Sequence, residues 1–114
     1  QGIVIVQDGR QVFVNQAFAD LTGYSVADLI AMPPWEHLAL VHPDDRTMVR
    51  QRTEERLSGR RGAERYEFRL LPKDGTLRHV EIHPRPIVYR GRPAALRRNR
   101  QCGRRGRLAR RISR

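Results

Sequence analysis

Tyr66-Glu67-Phe68-Arg69-Leu70-Leu71-Pro72-Lys73-Asp74-Gly75-Thr76-Leu77-Arg78-His79-Val80-Glu81-Ile82 reads as two strands joined by a turn. Tyr66, Phe68 and Leu70 alternate with Glu67 and Arg69, the period of two expected of a half-buried strand. Lys73-Asp74-Gly75 supplies the turn, and Leu77 to Ile82 pairs back. Val80 and Ile82 then face one way, with His79, Glu81 and His83 on the other. Pro84 and Pro86 weaken the end of this strand or place a bulge there, because proline has no N–H for the ladder.

A second hairpin opens the chain. Ile3-Val4-Ile5-Val6 is β-branched and wholly apolar, which suits a strand buried on both faces. Asp8-Gly9 tolerates the positive φ of a tight turn, and Gln11 to Val14 is the partner strand. The segment between the two hairpins carries helix signals. Asn15 can accept backbone N–H bonds at the start of a helix over 16–22, and Gly23 suits its left-handed end. Ser25 and Asp28 make a capping box for a second helix, which Pro33-Pro34 stops. Trp35 to Leu40 is ambiguous, with room for one helical turn. His42-Pro43-Asp44-Asp45 starts a longer helix, with proline at its first position and two aspartates at the positive end of its dipole. That helix runs to about Leu57 and ends near Gly59, with Val49, Thr53 and Leu57 inward and an Arg50–Glu54 pair outside. A third turn, Tyr89 to Pro93, leads into Ala94-Ala95-Leu96, the beginning of a last strand. Strands and helices that segregate in this way indicate an α+β domain with an antiparallel sheet.

Charge divides the chain unequally. The 114 residues carry a net charge of +11, but nine arginines and no acid lie in residues 97–114. Residues 1–96 then hold 14 basic and 12 acidic residues and are nearly balanced. Any attraction for nucleic acid or an acidic membrane belongs to the tail, and without aromatic residues there it is non-specific. No apolar run approaches the ~20 residues of a membrane helix. The single cysteine, Cys102, precludes an intrachain disulfide and agrees with a reducing, cytoplasmic setting.

Four pieces of this sequence, in this order and spacing, resemble the PAS family. They are Val12-Phe13-Val14-Asn15-Gln16-Ala17-Phe18, Leu21-Thr22-Gly23-Tyr24-Ser25, Leu38 through His42-Pro43-Asp44-Asp45-Arg46, and Glu64 to Leu70 followed by Lys73-Asp74-Gly75-Thr76. The resemblance covers residues 2–96. It implies a five-stranded antiparallel sheet of order 2-1-5-4-3 with short helices on one face. It also implies a sensory or interaction module of a signal-transduction protein, such as a two-component histidine kinase with its phosphorelay, that passes ligand or dimer-packing changes to an output domain. The chain departs from the family at its end. Leu96 is followed by Arg97-Arg98-Asn99-Arg100, so the last strand is degraded and residues 97–114 are expected to be a disordered or aberrant arginine-rich tail; either Ala94 to Cys102 still pairs as a poor strand, or the fragment is barely stable. Only Lys73 among 23 basic residues is lysine, a bias expected of an arginine-codon-rich gene, in which a shifted frame or truncation would give such a tail. Gln1 at the start gives the expectation of a fragment lacking its N-terminal neighbour.

Trp35, Leu38, Val41, Met48, Tyr66, Phe68, Val80 and Ile82 are the candidates to line a small-ligand pocket between sheet and helices. The same set would serve equally as an ordinary core. No cofactor is expected. Flavin-binding relatives use a cysteine on the helices after the second strand, and heme-binding relatives a histidine on the long helix; this chain has neither. His42 reads as a helix-cap neighbour, and His79, Glu81 and His83 as a mixed solvent face rather than a metal site. No catalytic constellation is present, so the module is read as non-enzymatic. The apolar Ile3 to Val6 needs a cover on the outer face of the sheet, which a missing N-terminal helix or a homodimer would provide. Nucleic-acid binding through the tail is the competing reading.

Overall fold

A computed structural model describes residues 1–57 and 65–102, the side chains of Arg56 and Leu57 excepted. Five strands form one sheet: β1 (Gly2–Gln7), β2 (Arg10–Val14), β3 (Tyr66–Leu70), β4 (Arg78–Tyr89) and β5 (Arg92–Cys102). Every pairing is antiparallel and the spatial order is β2-β1-β5-β4-β3. Between β2 and β3 come α1 (Gln16–Thr22), α2 (Val26–Ala31), 3₁₀ turns at Glu36–Leu40 and Pro43–Asp45, and α3 (Arg46–Leu57).

The turns form where residues with positive φ are available. Asp8 and Gly9 take φ 54° and 77°, and Arg90 and Gly91 take 51° and 79°. Two consecutive left-handed residues twist a hairpin in the same sense as its strands. Gly9 has a second constraint, because a Cβ there would sit 2.7 Å from the Trp35 indole nitrogen. Helix ends follow local chemistry too. Asn15 Oδ1 accepts from the Phe18 N–H at 3.0 Å and the Ser25 hydroxyl accepts from the Asp28 N–H at 3.0 Å. Gly23 ends α1 in the left-handed conformation at φ 81°.

Alternation along the strands directs Val4, Val6, Tyr66, Phe68, Leu70, Val80 and Ile82 to one face, where Phe18, Leu29, Leu40 and Val49 cover them. Leu29, Leu70 and Ile82 are fully buried, each worth about 1.5–3 kcal/mol of apolar transfer. Backbone bonds then tie the helical layer to the sheet. The His42 N–H donates to the Arg69 carbonyl at 2.8 Å, the Leu71 N–H to Leu40 at 2.7 Å and the Lys73 N–H to Thr22 at 2.8 Å. Among the described residues, no helix is long and apolar enough to cross a membrane.

Three expectations change. Of the two alternatives for the last strand, the pairing one holds: β5 continues to Cys102, so residues 97–102 belong to the domain and the boundary at 96 is too early. The reason is that a ladder is made by backbone. β5 pairs with β1 from Ala95 to Asn99 and with β4 along its whole length, whatever its side chains. Residues 103–114 lie outside the described residues, as do Gly59 and the Leu57 side chain. Next, β4 runs on through Pro84 and Pro86 to Tyr89, with neither the weakened end nor the bulge expected there in its pairing with β5. Among the described residues β3 pairs with β4 no further than Ile82, so the missing donors of Pro84 and Pro86 break none of the described β3–β4 pairings. Lastly, Glu81 is not part of a solvent face: it is 1% exposed, and its Oε1 accepts from Arg100 Nη2 and meets His83 Nε2, both at 3.1 Å.

Asp45 also does more than face a helix dipole. Its carboxylate accepts three bonds from Arg69: from the backbone N–H at 2.8 Å, from Nε at 3.0 Å and from Nη2 at 2.8 Å. The guanidinium bonds hold the Asp45 carboxyl below its ordinary pKa of 3.8, and the carboxylate in turn raises that of Arg69. A carboxylate with a depressed folded pKa contributes stability above its unfolded pKa, and loses it as pH falls through the folded value. Stability measured by urea denaturation should therefore fall as pH drops below about 4, and Asp45→Asn should flatten that fall; an unchanged slope would remove the pair from the acid limb. Asn15 offers a second check. Its Oδ1 also accepts from the Ile3 N–H at 2.8 Å and its Nδ2 donates to the Gln1 carbonyl at 3.0 Å, so it fastens α1 to β1. Asn15→Ala should cost about 1–2 kcal/mol, the upper part of the range for a lost cap, read as a lower urea midpoint with an unchanged slope.

Candidate functional site

Between the sheet and the helical layer lies a cavity of about 30 Å³. That volume holds one or two waters. Its apolar wall includes Val4, Phe18, Leu40, Val41, Val49, Phe68, Leu70 and Ile82. Four polar side chains complete it: Gln11, His37, Arg97 and Asn99.

Each polar group arrives by a traceable route. The shift in β1–β2 register between Ile5 and Val6 sets Gln11 opposite Val6, on the inner face, and its Nε2 donates to the Leu29 carbonyl at 2.8 Å. Arg97 and Asn99 stand opposite Val4 and Gly2, so strand alternation turns both inward. Arg97 Nη2 donates to the Thr53 hydroxyl on α3. The Asn99 amide donates to the Gly2 carbonyl at 3.3 Å. His37 enters from the 3₁₀ turn, which Trp35 begins with a left-handed φ of 68°.

His37 is 5% exposed, and among the described residues neither ring nitrogen has a hydrogen-bond partner of good geometry. The Gly9 carbonyl, which accepts from the Trp35 N–H at 2.8 Å, lies near enough to pull its pKa upward. Burial, helped by the positive charge of Arg97, lowers the pKa from 6.5 to about 3, so the ring is neutral at physiological pH. Neutral imidazole offers one donor and one acceptor. The wall therefore presents a cation, an amide and an uncommitted imidazole beside apolar surface.

The candidate pocket residues separate into groups. Val41, Phe68 and Ile82 line the cavity. Tyr66 and Val80 are buried in the core away from it. Leu38 and Met48 are half-buried and pack against the core. Trp35 lies over the first hairpin, its ring 6.1 Å from that of His37, with the Arg50 guanidinium 4.6 Å from its centroid. His42 caps the 3₁₀ turn at Pro43, its Nδ1 accepting from the Asp44 N–H at 3.1 Å. No group of three or more metal-ligating side chains occurs among the described residues. Sequence reasoning missed the polar wall. Period-two alternation carried past Leu96 would have found Arg97 and Asn99. The i,i+3 spacing of His37 and Leu40 would have found the histidine.

The chain matches the model of the PAS fold over residues 11–97. No curated protein matches it. Solved structures with the same fold include a PAS domain from Colwellia psychrerythraea, 24% identical, with a TM-score of 0.70 over 89% of this chain and 85% of the other. A PAS domain of an HTR-like protein from Haloarcula marismortui is also 24% identical, with a TM-score of 0.68 over 89% and 80%. A sensory box histidine kinase/response regulator from Burkholderia thailandensis is 22% identical, with a TM-score of 0.69 over 98% and 86%. With the family pattern spanning more than half of its 114 residues, and the sheet order and helical layer that its residues build, the chain belongs to the PAS fold family.

Proposed function

We propose that this domain is the sensory module of a signal-transduction protein, reading a small polar or anionic ligand in its inner cavity. In this reading it does no chemistry itself and relays the change to an output domain of its parent protein. The observation that carries the proposal is the unpartnered, buried His37 beside Arg97 and Asn99 at the cavity wall. Buried polar atoms without partners are costly, and a ligand that bonds them recovers that cost. The cavity of about 30 Å³ is too small for a larger molecule as it stands. A ligand beyond one or two waters must therefore separate the 3₁₀ turn and α3 from β5. A molecule that binds only the separated arrangement shifts the population toward it, and that shift is the signal.

Relatives support the reading. One is a PAS domain from a two-component sensor histidine kinase. Another, the Cycle PAS-B domain of Drosophila melanogaster, was solved with bound ethylene glycol.

Native mass spectrometry of the whole chain, followed by amide NMR titration with formate, acetate and ethylene glycol, tests the proposal. A retained small molecule, or saturable shifts confined to Glu36–Leu40, α3 and β5, is the expected result. Shifts scattered over the surface, with no retained mass, would end the sensory reading of this cavity. The state of His37 gives a separate check. Its folded pKa lies below its unfolded one, so between pH 6.5 and 3 the unfolded chain holds a proton that the folded chain refuses. Stability should fall as pH drops from 6.5, by about 2 kcal/mol at pH 5 at roughly 1.4 kcal/mol per unit. His37→Gln should flatten this slope in thermal or urea unfolding, well above the window in which Asp45 acts.

A further inference from the structure

A cleft of about 270 Å³ lies where α1 ends against the turn between β3 and β4. Backbone fixes its walls. The Lys73 N–H donates to the Thr22 carbonyl at 2.8 Å, and the Gly75 N–H closes the turn onto the Pro72 carbonyl at 2.9 Å. A Cβ on Gly23 would stand 3.3 Å from the Lys73 Cβ, so helix end and turn approach closely. Arg78 stands opposite Leu70 and in phase with Val80, so strand alternation aims it at the helical side of the sheet, where it reaches the cleft.

The cleft carries both signs of charge. Asp20 and Asp74 contribute carboxylates, Lys73 and Arg78 cations, and Leu21 and Pro72 an apolar patch. Ion pairs form elsewhere in the domain, as between Asp45 and Arg69 or Asp8 and Arg92, but among the described residues none joins the two signs across this cleft. The bonds these groups do make are light. Asp20 Oδ1 accepts from Gln16 Nε2 at 2.9 Å and Asp74 Oδ1 from the Thr76 N–H at 2.9 Å, which leaves the second oxygen of each available. Lys73 Nζ lies 5.7 Å from the centre of the Tyr24 ring. Arg78 Nη1 meets Gln101 Oε1 only at 3.4 Å, and its enclosed Nε has no partner among the described residues. A donor left unused in this way is costly, and a carboxylate that accepts from the guanidinium recovers the cost without displacing a strong bond.

Opposite charges held apart around one space are matched by a ligand that carries both. From this arrangement we infer that the cleft binds a small aliphatic α-amino acid as its zwitterion. Its carboxylate meets Arg78 and Lys73, its ammonium Asp20 and Asp74, and its side chain Leu21 and Pro72. At ~30 Å³ per water the volume equals about nine waters, which limits the ligand to roughly nine heavy atoms, the size of valine or leucine. A simple anion would face the two carboxylates unpaired, and a simple cation the two basic groups, so each is disfavoured against the zwitterion. The inner cavity shares none of these residues, so ligand sensing there and amino-acid binding here can each fail while the other stands.

Amide NMR titration of the whole chain with L-valine at physiological salt tests the inference. Saturable shifts centred on Thr22, Gly23 and Lys73 to Arg78 are expected. N-acetylvaline lacks the ammonium and valinamide the carboxylate, and each should bind about 10-fold or more weakly than valine. Arg78→Gln should cost valine a similar factor and remove most of its advantage over valinamide, while keeping that over N-acetylvaline. Asp20→Asn should do the converse. A merely structural loss would not move the two preferences separately. Equal binding of all three compounds would reduce the effect to apolar contact and overturn the inference. So would equal shifts from sodium acetate or ammonium chloride, the absence of saturable shifts, or shifts confined to Glu36–Leu40 and α3, which belong to the inner cavity. Asp20 is exposed, so Asp20→Asn keeps the comparison in force if Arg78→Gln fails to fold by circular dichroism.

Discussion

β5 has neighbours on both sides, and this double pairing is the constraint on which the rest of the molecule depends. β1 and β4 are far apart in the chain and meet only through it. Without β5 there would be two hairpins, each marginal in water on its own. Its sequence is poor material for a central strand, since Arg97 and Asn99 point inward where an apolar pair would normally sit. They are tolerated because each has work for its polar atoms inside. Arg97 reaches the Thr53 hydroxyl on α3, and Asn99 bonds the Gly2 carbonyl on β1. The arginine stem meanwhile fills core volume as an aliphatic chain. Thus the strand that closes the sheet is also the one that makes its interior polar.

That polarity sets the protonation of its neighbour. A guanidinium stays charged at any ordinary pH, so a second cation beside it would be repelled in a poorly solvated site. His37 is held neutral first by its burial and then by this repulsion. The helical layer, by contrast, is fixed by groups whose hydrogen-bond needs are met. Asn15 holds α1 to β1, Gln11 holds α2 to β2, and the Asp45–Arg69 fork holds the start of α3 to β3. The 3₁₀ turn carrying His37 has only backbone bonds at its two ends and an orphaned ring in the middle. Buried Leu40 and Val41 anchor this turn in the core.

The parts of this fold that could be read from the sequence are those fixed by local chemistry. Asp8-Gly9, Asn15, Gly23, Ser25 and Pro43 dictate turns and caps within a few residues of themselves, and all act as their residue types suggest. The Tyr66–Leu70 alternation likewise marked the inner face of β3. What escaped depends on partners distant in sequence. Arg97 looks like tail until Val4 and Thr53 are seen on either side of it. Pro84 and Pro86 look like a weakened strand end until β4 is seen to pair with β5 through both of them. His37 looked unremarkable beside His42 because burial, not residue type, makes it unusual. The apolar part of the candidate pocket was half legible for the same reason. Val41, Phe68 and Ile82 reach the cavity, while equally apolar Tyr66 and Val80 do not, and composition cannot separate them.

Successive residues of a strand point to opposite faces, and this connects the cavity wall to the outer face of the sheet. Arg97 lines the cavity, whereas its neighbours Leu96 and Arg98 belong to the outer face. A ligand that draws Arg97 away from Thr53 cannot move the β5 backbone without displacing both. Coupling of this kind is a free energy shared equally by the groups on the two faces. The lever is short, one peptide unit on each side of Arg97. It lies in the strand that β1 and β4 grip from both edges, so a shift in β5 reaches the whole sheet.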